Sequence, residues 1–125
     1  MVDEAGALAA MRHSRRPCVT IAIDSMVFKE PVHLGALLIC DAVVTYVGKS
    51  SIEVSVQVHS ENPITGETTH TNSAHLVFVA LDEAGRPAIV PGLELETDAD
   101  RAAFADGERR QRERIERKNR ERQTP

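Results

Sequence analysis

The 125-residue sequence has no tryptophan, and all aromatic residues together make up only 3% of it. This argues against proteins that bind nucleic acid by stacking bases on aromatic rings. There is also no uninterrupted apolar run of about 18 residues and no signal peptide, so neither membrane insertion nor export is expected. The two cysteines, Cys18 and Cys40, lack the close spacing of a metal or redox motif. We therefore expect a cytoplasmic chain with reduced thiols.

The residues that are present suit one aliphatic core. Hydrophobic residues make up 42% of the chain, which is enough for one packed domain. We predict this domain at 1–96, followed by a charged helical extension at 97–125. From residue 108 onward eight Lys or Arg accompany four Glu, a net charge of +4 that leaves −8 on residues 1–107. Mixed signs on an exposed helix are typical of a solvated face, so nucleic acid is not expected as a partner.

Met1 to His13 is predicted to form a helix that is buried on all sides, because it is rich in alanine and has almost no polar face. Asp3 and Glu4 lie in its first turn. Acidic side chains at this position ordinarily offset the helix macrodipole. The alternative is that one of them borders a cleft and acts as a general base.

After Pro17 the pattern changes to the alternation of β-strands. Strands are predicted at about 18–28, 36–47, 52–59 and 68–81, separated by turns that contain proline or glycine. The third is apolar on one face, whereas the second and fourth carry apolar residues on both, so a second subunit is expected to cover part of the sheet. A capping-box pattern of Thr97 and Asp100 begins a last helix, which buries at most three side chains: Ala99, Ala103 and Phe104. Residues 82–87 are predicted to form a turn, and residues 88–95 are predicted to run over the surface. The predicted fold class is α+β.

Other candidate sites are less favoured. A metal site is not expected, because the histidines lack the spacing of ligand pairs; the five are His13, His33, His59, His70 and His75. His59 or His75 as the catalytic residue of a dehydratase is an alternative. Asp24 is a rival carboxylate for which a structural role is favoured. Ser25 lacks the G-x-S-x-G turn of a serine hydrolase.

Five segments in order along the chain resemble the hotdog-fold acyl-CoA thioesterases. The resemblance is to the cytosolic long-chain, or brain-type, acyl-CoA hydrolase and its bacterial single-domain relatives. The segments are VDEAGA at 2–7, VTIAIDSMVF at 19–28, PVHLG at 31–35, VGKSS at 47–51 and VALDEAGRP at 79–87, the last followed by Val90-Pro91. The hairpin SENPITG at 60–66 and the charged C-terminal extension point to the cytosolic branch.

This resemblance implies a helix wrapped by a curved antiparallel sheet, dimers that join their sheets edge to edge, and usually a trimer of such dimers. It implies hydrolysis of fatty acyl-CoA to free fatty acid and CoA at the dimer interface, without a cofactor. The catalytic carboxylate of the family falls on Asp3, as general base or nucleophile, with the acyl chain beside Leu8 and Met11. The CoA contacts implied are Lys49, Ser50 and Ser51 and, with less weight, Arg86.

One difference from the family concerns the start of the helix. In these enzymes a first strand and a loop with an asparagine and a Gly-Gly pair precede the helix, whereas this sequence begins inside it. We expect that the start of the gene has been assigned too far downstream, rather than that the protein is genuinely shorter. A catalytically impaired hotdog module, which binds acyl-CoA or serves only in oligomerisation, is the alternative to an enzyme.

Overall fold

The computed structural model describes residues 2–28, 31 and 33–123, without the side chains of 24–28 and Gln123. Within these residues the chain forms two helices and four strands. They are α1 (Val2–Ser14), β1 (Cys18–Phe28), β2 (Leu37–Val47), β3 (Ser51–Glu61), β4 (Thr68–Ala80) and α2 (Asp98–Gln123). The predicted α+β class and all four predicted strands are confirmed. Part of the predicted turn at 29–35 lies outside the described residues.

The four strands form one antiparallel sheet in the order β1-β4-β3-β2, so that β1 and β2 are its two edges. The predicted hairpin between β3 and β4 is confirmed. The Asn62 side chain accepts hydrogen bonds from the backbone N–H groups of Ile64 and Thr65, and Gly66 has a φ of 75°. That positive φ is a conformation that glycine adopts without steric cost. The turn thereby fixes the register of the two central strands.

Helix α1 packs against one face of the sheet, where the alternating valines and isoleucine of β3 are buried. The helix packs tightly against the sheet at Gly6, where an added Cβ would lie 3.1 Å from the Phe78 ring. The prediction that the helix is buried on all sides is wrong. Only Gly6, Ala10 and Ser14 are buried among its residues, and Leu8 is 59% exposed. The reason is that the sheet of this single chain contacts only one side of the helix.

The aliphatic core lies between α1 and the central strands. Phe78, Ile52 and Leu76 are completely buried there, and Ile52 pairs with Phe78 across the sheet. Burying a side chain of this size contributes about 1.5–3 kcal/mol. The core therefore needs no tryptophan, and it anchors the strands that carry the polar residues described below.

The predicted capping box begins α2 as expected. The Asp100 N–H donates to the Thr97 hydroxyl oxygen at 3.0 Å, and the Thr97 N–H donates to the Asp100 carboxylate at 3.3 Å. The expected burial of Ala103 and Phe104 is confirmed in part, since both are half-buried, but Ala99 is exposed. Phe104 lies against Tyr46 of β2, with ring centroids 4.9 Å apart. The helix therefore packs on the sheet face opposite α1.

The prediction that α2 buries at most three side chains is wrong. A buried ion pair between Glu53 of β3 and Arg110 also attaches the helix to the sheet, beyond Phe104. Glu53 is 2% exposed and accepts two hydrogen bonds from the Arg110 guanidinium, at 2.7 and 2.9 Å, and one from the Thr45 hydroxyl at 2.7 Å. At Gly107 an added Cβ would lie only 2.6 Å from Cβ of Tyr46. The absence of a side chain at Gly107 therefore lets the helix approach the sheet closely enough for the pair to form.

The ionisation of Glu53 depends on this pair. Burial alone would raise the pKa of the carboxyl group, but the hydrogen bonds from Arg110 and Thr45 and the charge of Arg110 outweigh burial. The pKa is therefore lowered from its ordinary value of 4.5, and the group is ionised at neutral pH.

The segment after β4 was predicted to run over the surface, and this is wrong for two of its residues. Ala88 and Val90 are buried. Their N–H groups donate to the carbonyl oxygens of Ala80 and Lys49, each at 2.8 Å, and so fix the segment against the sheet end. In the described part of the chain, neither of the two helices combines the length and the apolar character that crossing a bilayer requires.

Candidate active site

The carboxylate singled out from the sequence, Asp3, lies in the first turn of α1 and is exposed. The hydroxyl group of Thr20, on β1, donates a hydrogen bond of 2.8 Å to Oδ1 of Asp3. A neutral hydroxyl that donates to a carboxylate fixes the rotamer of the carboxylate without neutralising its charge. Asp3 is thus an oriented anion, rather than only a charge at the end of a helix.

Thr20 was not predicted as a site residue. It lies two residues from the start of β1, and the pairing of β1 with β4 shifts register between Thr20 and Ala22. Bulges of this kind are common on edge strands next to active sites, where they turn a side chain toward its target. The signal in the sequence was a hydroxyl residue among the apolar residues of the first half of β1, on the strand face that meets the helix.

Lys49, Ser50 and Ser51 form the tight turn between β2 and β3. The Gly48 N–H donates to the Ser51 carbonyl oxygen at 2.9 Å, and the Ser51 hydroxyl oxygen accepts a hydrogen bond of 3.4 Å from Gln111 of α2. The Lys49 side chain is exposed, whereas its backbone carbonyl is engaged by Val90. The turn is therefore held rigidly from two sides and presents one cation to solvent.

Arg86 lies in the turn that follows β4. Asp82 organises this turn, because its carboxylate accepts hydrogen bonds from the backbone N–H groups of Ala84 and Arg86, at 2.9 and 3.0 Å. The Arg86 residue is exposed.

The sheet brings these elements to one end of the molecule. Thr20 pairs with Phe78 on β4, and Phe78 pairs with Ile52, which directly follows Ser51. Two strand spacings therefore separate Thr20 from the start of β3, a distance of roughly 10 Å. Asp3 and the Lys49–Ser51 turn thus share the same end of the sheet, and the Asp82–Arg86 turn lies there too.

The other candidates are placed differently. The His59 and His70 rings lie side by side across β3 and β4, with centroids 4.9 Å apart, at the far end of the sheet. The described residues contain no group of three or more His, Cys, Asp and Glu that could hold a metal ion. The side chains of Asp24 and Ser25 lie outside the described part of the chain.

Large apolar side chains are exposed on β1 and α1. Three lie along the edge strand β1: Val19, Ile21 and Ile23 are 46%, 51% and 52% exposed, respectively. Leu8, one turn beyond Glu4 on α1, is exposed as well. An edge strand with this many exposed apolar side chains is typical of a surface that another chain covers.

Residues 1–67 match the family model of the thioesterase superfamily. The chain is also similar to an uncharacterised acyl-CoA thioester hydrolase of Bacillus subtilis, with 39% identity over 97 residues. That match covers 78% of this chain and 56% of the relative, so the chain spans little more than half the length of this curated relative.

Two solved structures have the same fold. A hexameric acyl-CoA thioesterase is 40% identical and superposes with a TM-score of 0.87 over 93% of this chain and 74% of its own. The acyl-CoA hydrolase of Staphylococcus aureus, in complex with butyryl coenzyme A, coenzyme A and coenzyme A disulfide, is 34% identical. It superposes with a TM-score of 0.86 over 98% of this chain and 75% of its own.

Alanine variants of the Staphylococcus aureus hydrolase have also been solved. They include the replacement of an aspartate and of a threonine that stand 17 positions apart. Asp3 and Thr20 have the same separation of 17 positions here. With a family model matched over more than half of its residues and a shared hotdog fold, the chain belongs to the thioesterase superfamily.

Proposed function

We propose that this protein hydrolyses fatty acyl-CoA thioesters to free fatty acid and CoA, with Asp3 as the catalytic carboxylate. The observation that carries the proposal is the 2.8 Å hydrogen bond from Thr20 to Oδ1 of the exposed Asp3. It is supported by the equal spacing of the aspartate and threonine that were replaced in the Staphylococcus aureus hydrolase. It is supported further by the acyl-CoA hydrolases to which the chain is similar.

The chemistry requires activation of water or direct attack. Because Oδ1 of Asp3 accepts the hydrogen bond from the Thr20 hydroxyl, Oδ2 is assigned to the reaction. As a general base, it takes a proton from water while the oxygen of that water attacks the thioester carbon; the C–S bond then breaks and the proton passes to the CoA thiolate. As a nucleophile, it attacks the carbon itself, expels CoA and forms an anhydride that water then hydrolyses.

Both routes place negative charge on the thioester oxygen. Backbone N–H groups in the first turn of a helix lack intrahelical partners and are natural donors to such an oxyanion. We propose that donors of this kind stabilise the tetrahedral intermediate.

The CoA contacts are proposed at Lys49, Ser50, Ser51 and Arg86. The exposed Lys49 ammonium suits a phosphate group, and the rigid turn that carries it lies at the same end of the sheet as Asp3. CoA is a long, extended ligand, so contacts that are separated from the reacting carbon are expected. The acyl chain is proposed to lie along α1 beside Leu8 and Met11.

We also propose that the protein is a homo-oligomer, a dimer or a trimer of dimers, with the site at a subunit interface. The exposed apolar side chains of the edge strand β1 support this, as does the hexameric state of one similar thioesterase. A cytoplasmic location is proposed because Cys18 and Cys40 are both free thiols, which persist in a reducing compartment.

The test is release of free thiol from a short-chain and a long-chain acyl-CoA. It is measured on residues 1–125 and on the longer protein wherever the gene encodes one. Turnover that disappears in Asp3→Ala, while CoA binding and assembly persist, supports the enzyme. CoA binding without turnover in the wild-type protein would refute it and favour a binding module.

A further inference from the structure

Two grooves of opposite charge lie at opposite edges of the sheet. The basic groove is an open hollow of about 400 Å³ between β1 and the distal half of α2, and its principal residues are Ile21, Ile115, Arg114, Arg117 and Lys118. Ile21 and Ile115 are about half exposed, at 51% and 48%. The groove also includes Glu121, which leaves three cations against one anion. It therefore suits a segment that is both acidic and apolar.

The acidic groove lies where α2 begins, beside the other edge strand, β2. It is formed by Val43 and Ala103 together with the segment Leu93-Glu94-Leu95-Glu96 and Asp100. Along this segment Leu93 and Leu95 are half-buried, whereas Glu94 and Glu96 are exposed. This alternation is that of an extended chain, and it directs two carboxylates outward, about 7 Å apart.

The spacing of the cations in the basic groove matches the spacing of these two carboxylates. Arg117 and Lys118 follow Arg114 by three and four residues, so the three side chains lie on neighbouring turns of one helix, with Cβ atoms about 5–6 Å from that of Arg114. Arg114 hydrogen-bonds to Gln111, which fixes it in the groove wall. Arg117 and Lys118 are exposed. An acidic segment with carboxylates about 7 Å apart can therefore meet two cations of the groove.

We propose that the acidic segment 93–96 of one copy docks into the basic groove of a second copy. The inference rests on the assembly proposed above and names the surfaces of one contact within it. Both complementary surfaces belong to this chain, which favours a second copy over a different acidic ligand. Because they lie at opposite edges of the sheet, the contact joins two different patches, and it closes into a ring where the rotation between successive copies permits closure. It is distinct from the pairing of two identical β1 edges.

Charge reversal tests the proposal. Arg117→Glu with Lys118→Glu, and separately Glu94→Lys with Glu96→Lys, should each lower the mass of the assembly in solution at least about twofold. The four substitutions combined should restore the wild-type mass, because the attraction returns with its signs exchanged. The matched control, Arg12→Glu with Arg16→Glu, reverses two cations at the end of α1 and should leave the mass unchanged. Mass is measured by light scattering at about 0.1 M salt, where charge interactions across a contact persist.

The possible results separate the two proposals. If either reversal leaves the mass unchanged, or if the combined variant remains small although it unfolds at the wild-type temperature, the docking contact is refuted. A wild-type protein that is itself monomeric refutes the assembly on which the contact rests. Thiol release by the reversed variants is measured alongside and reports separately on the proposed activity.

Discussion

Removing the cation from the buried ion pair beneath α2 should destabilise the protein strongly. Arg110→Met keeps the length of the side chain but removes the guanidinium from the buried Glu53 carboxylate. The hydrogen bond from the Thr45 hydroxyl remains. Breaking a buried pair by removing one member costs about 3–5 kcal/mol. The Arg110 side chain is still 18% exposed, so the lower value of about 3 kcal/mol is expected. With an unfolding entropy of roughly 2 cal/mol/K per residue, 125 residues convert this into a fall of about 12 °C in Tm.

The neighbouring residue provides a matched control. Arg109 pairs with Asp106 on the solvent side of the same helix, where both side chains are more than half exposed. Arg109→Met should therefore cost less than about 1 kcal/mol. Thermal unfolding of the wild type and both variants at pH 7, at equal protein concentration, measures the difference. Equal falls in Tm for the two variants would refute the reasoning from burial.

The difference in Tm between the wild type and Arg110→Met should also depend on pH. Because the pKa of Glu53 is lowered in the folded protein, the ion pair contributes its full stability above the ordinary value of 4.5. That contribution is lost as the pH falls through the lowered pKa. The gap in Tm between the wild type and Arg110→Met should therefore be wide at pH 7 and narrow in acid.

Three further predictions concern the helix contact and the proposed site. Gly107→Ala should lower Tm by the equivalent of about 1–3 kcal/mol, although this exchange usually stabilises a helix, because the new Cβ would meet Tyr46 at 2.6 Å. Thr20→Val should lower kcat/KM for thioester hydrolysis about tenfold by releasing Asp3, whereas Thr20→Ser should retain most of the activity; equal losses in both would contradict a role for the hydroxyl. Lys49→Ala should raise KM about tenfold with little change in kcat, as for a contact made equally in the ground state and the transition state; an unchanged KM would remove Lys49 from the CoA site.

The strands could be predicted from the sequence because their alternation is local. Ile52, Val54, Val56 and Val58 appear on one face in the sequence and are buried on that face in the structure. The capping box of α2 could be predicted for the same reason, since Thr97 and Asp100 form it within one helical turn.

Long-range contacts could not be predicted from the sequence. The Glu53–Arg110 pair joins residues 57 positions apart, and in the sequence Arg110 is one of many cations in a charged tail. Likewise the Thr20–Asp3 hydrogen bond depends on how β1 crosses the start of α1. The burial of α1 was overestimated because its composition does not reveal how many sides of it the sheet of a single chain contacts.

The most direct test of the account is thiol release by Asp3→Ala and Asp3→Asn beside the wild type, with Tm and assembly mass measured on the same samples. If Asp3 is the base or nucleophile, both variants should lose at least about 100-fold in kcat, with Tm and mass nearly unchanged. If Asp3 only offsets the helix macrodipole, both variants should keep their turnover and lose a few tenths of a kcal/mol of stability. That second result would contradict the proposed active site.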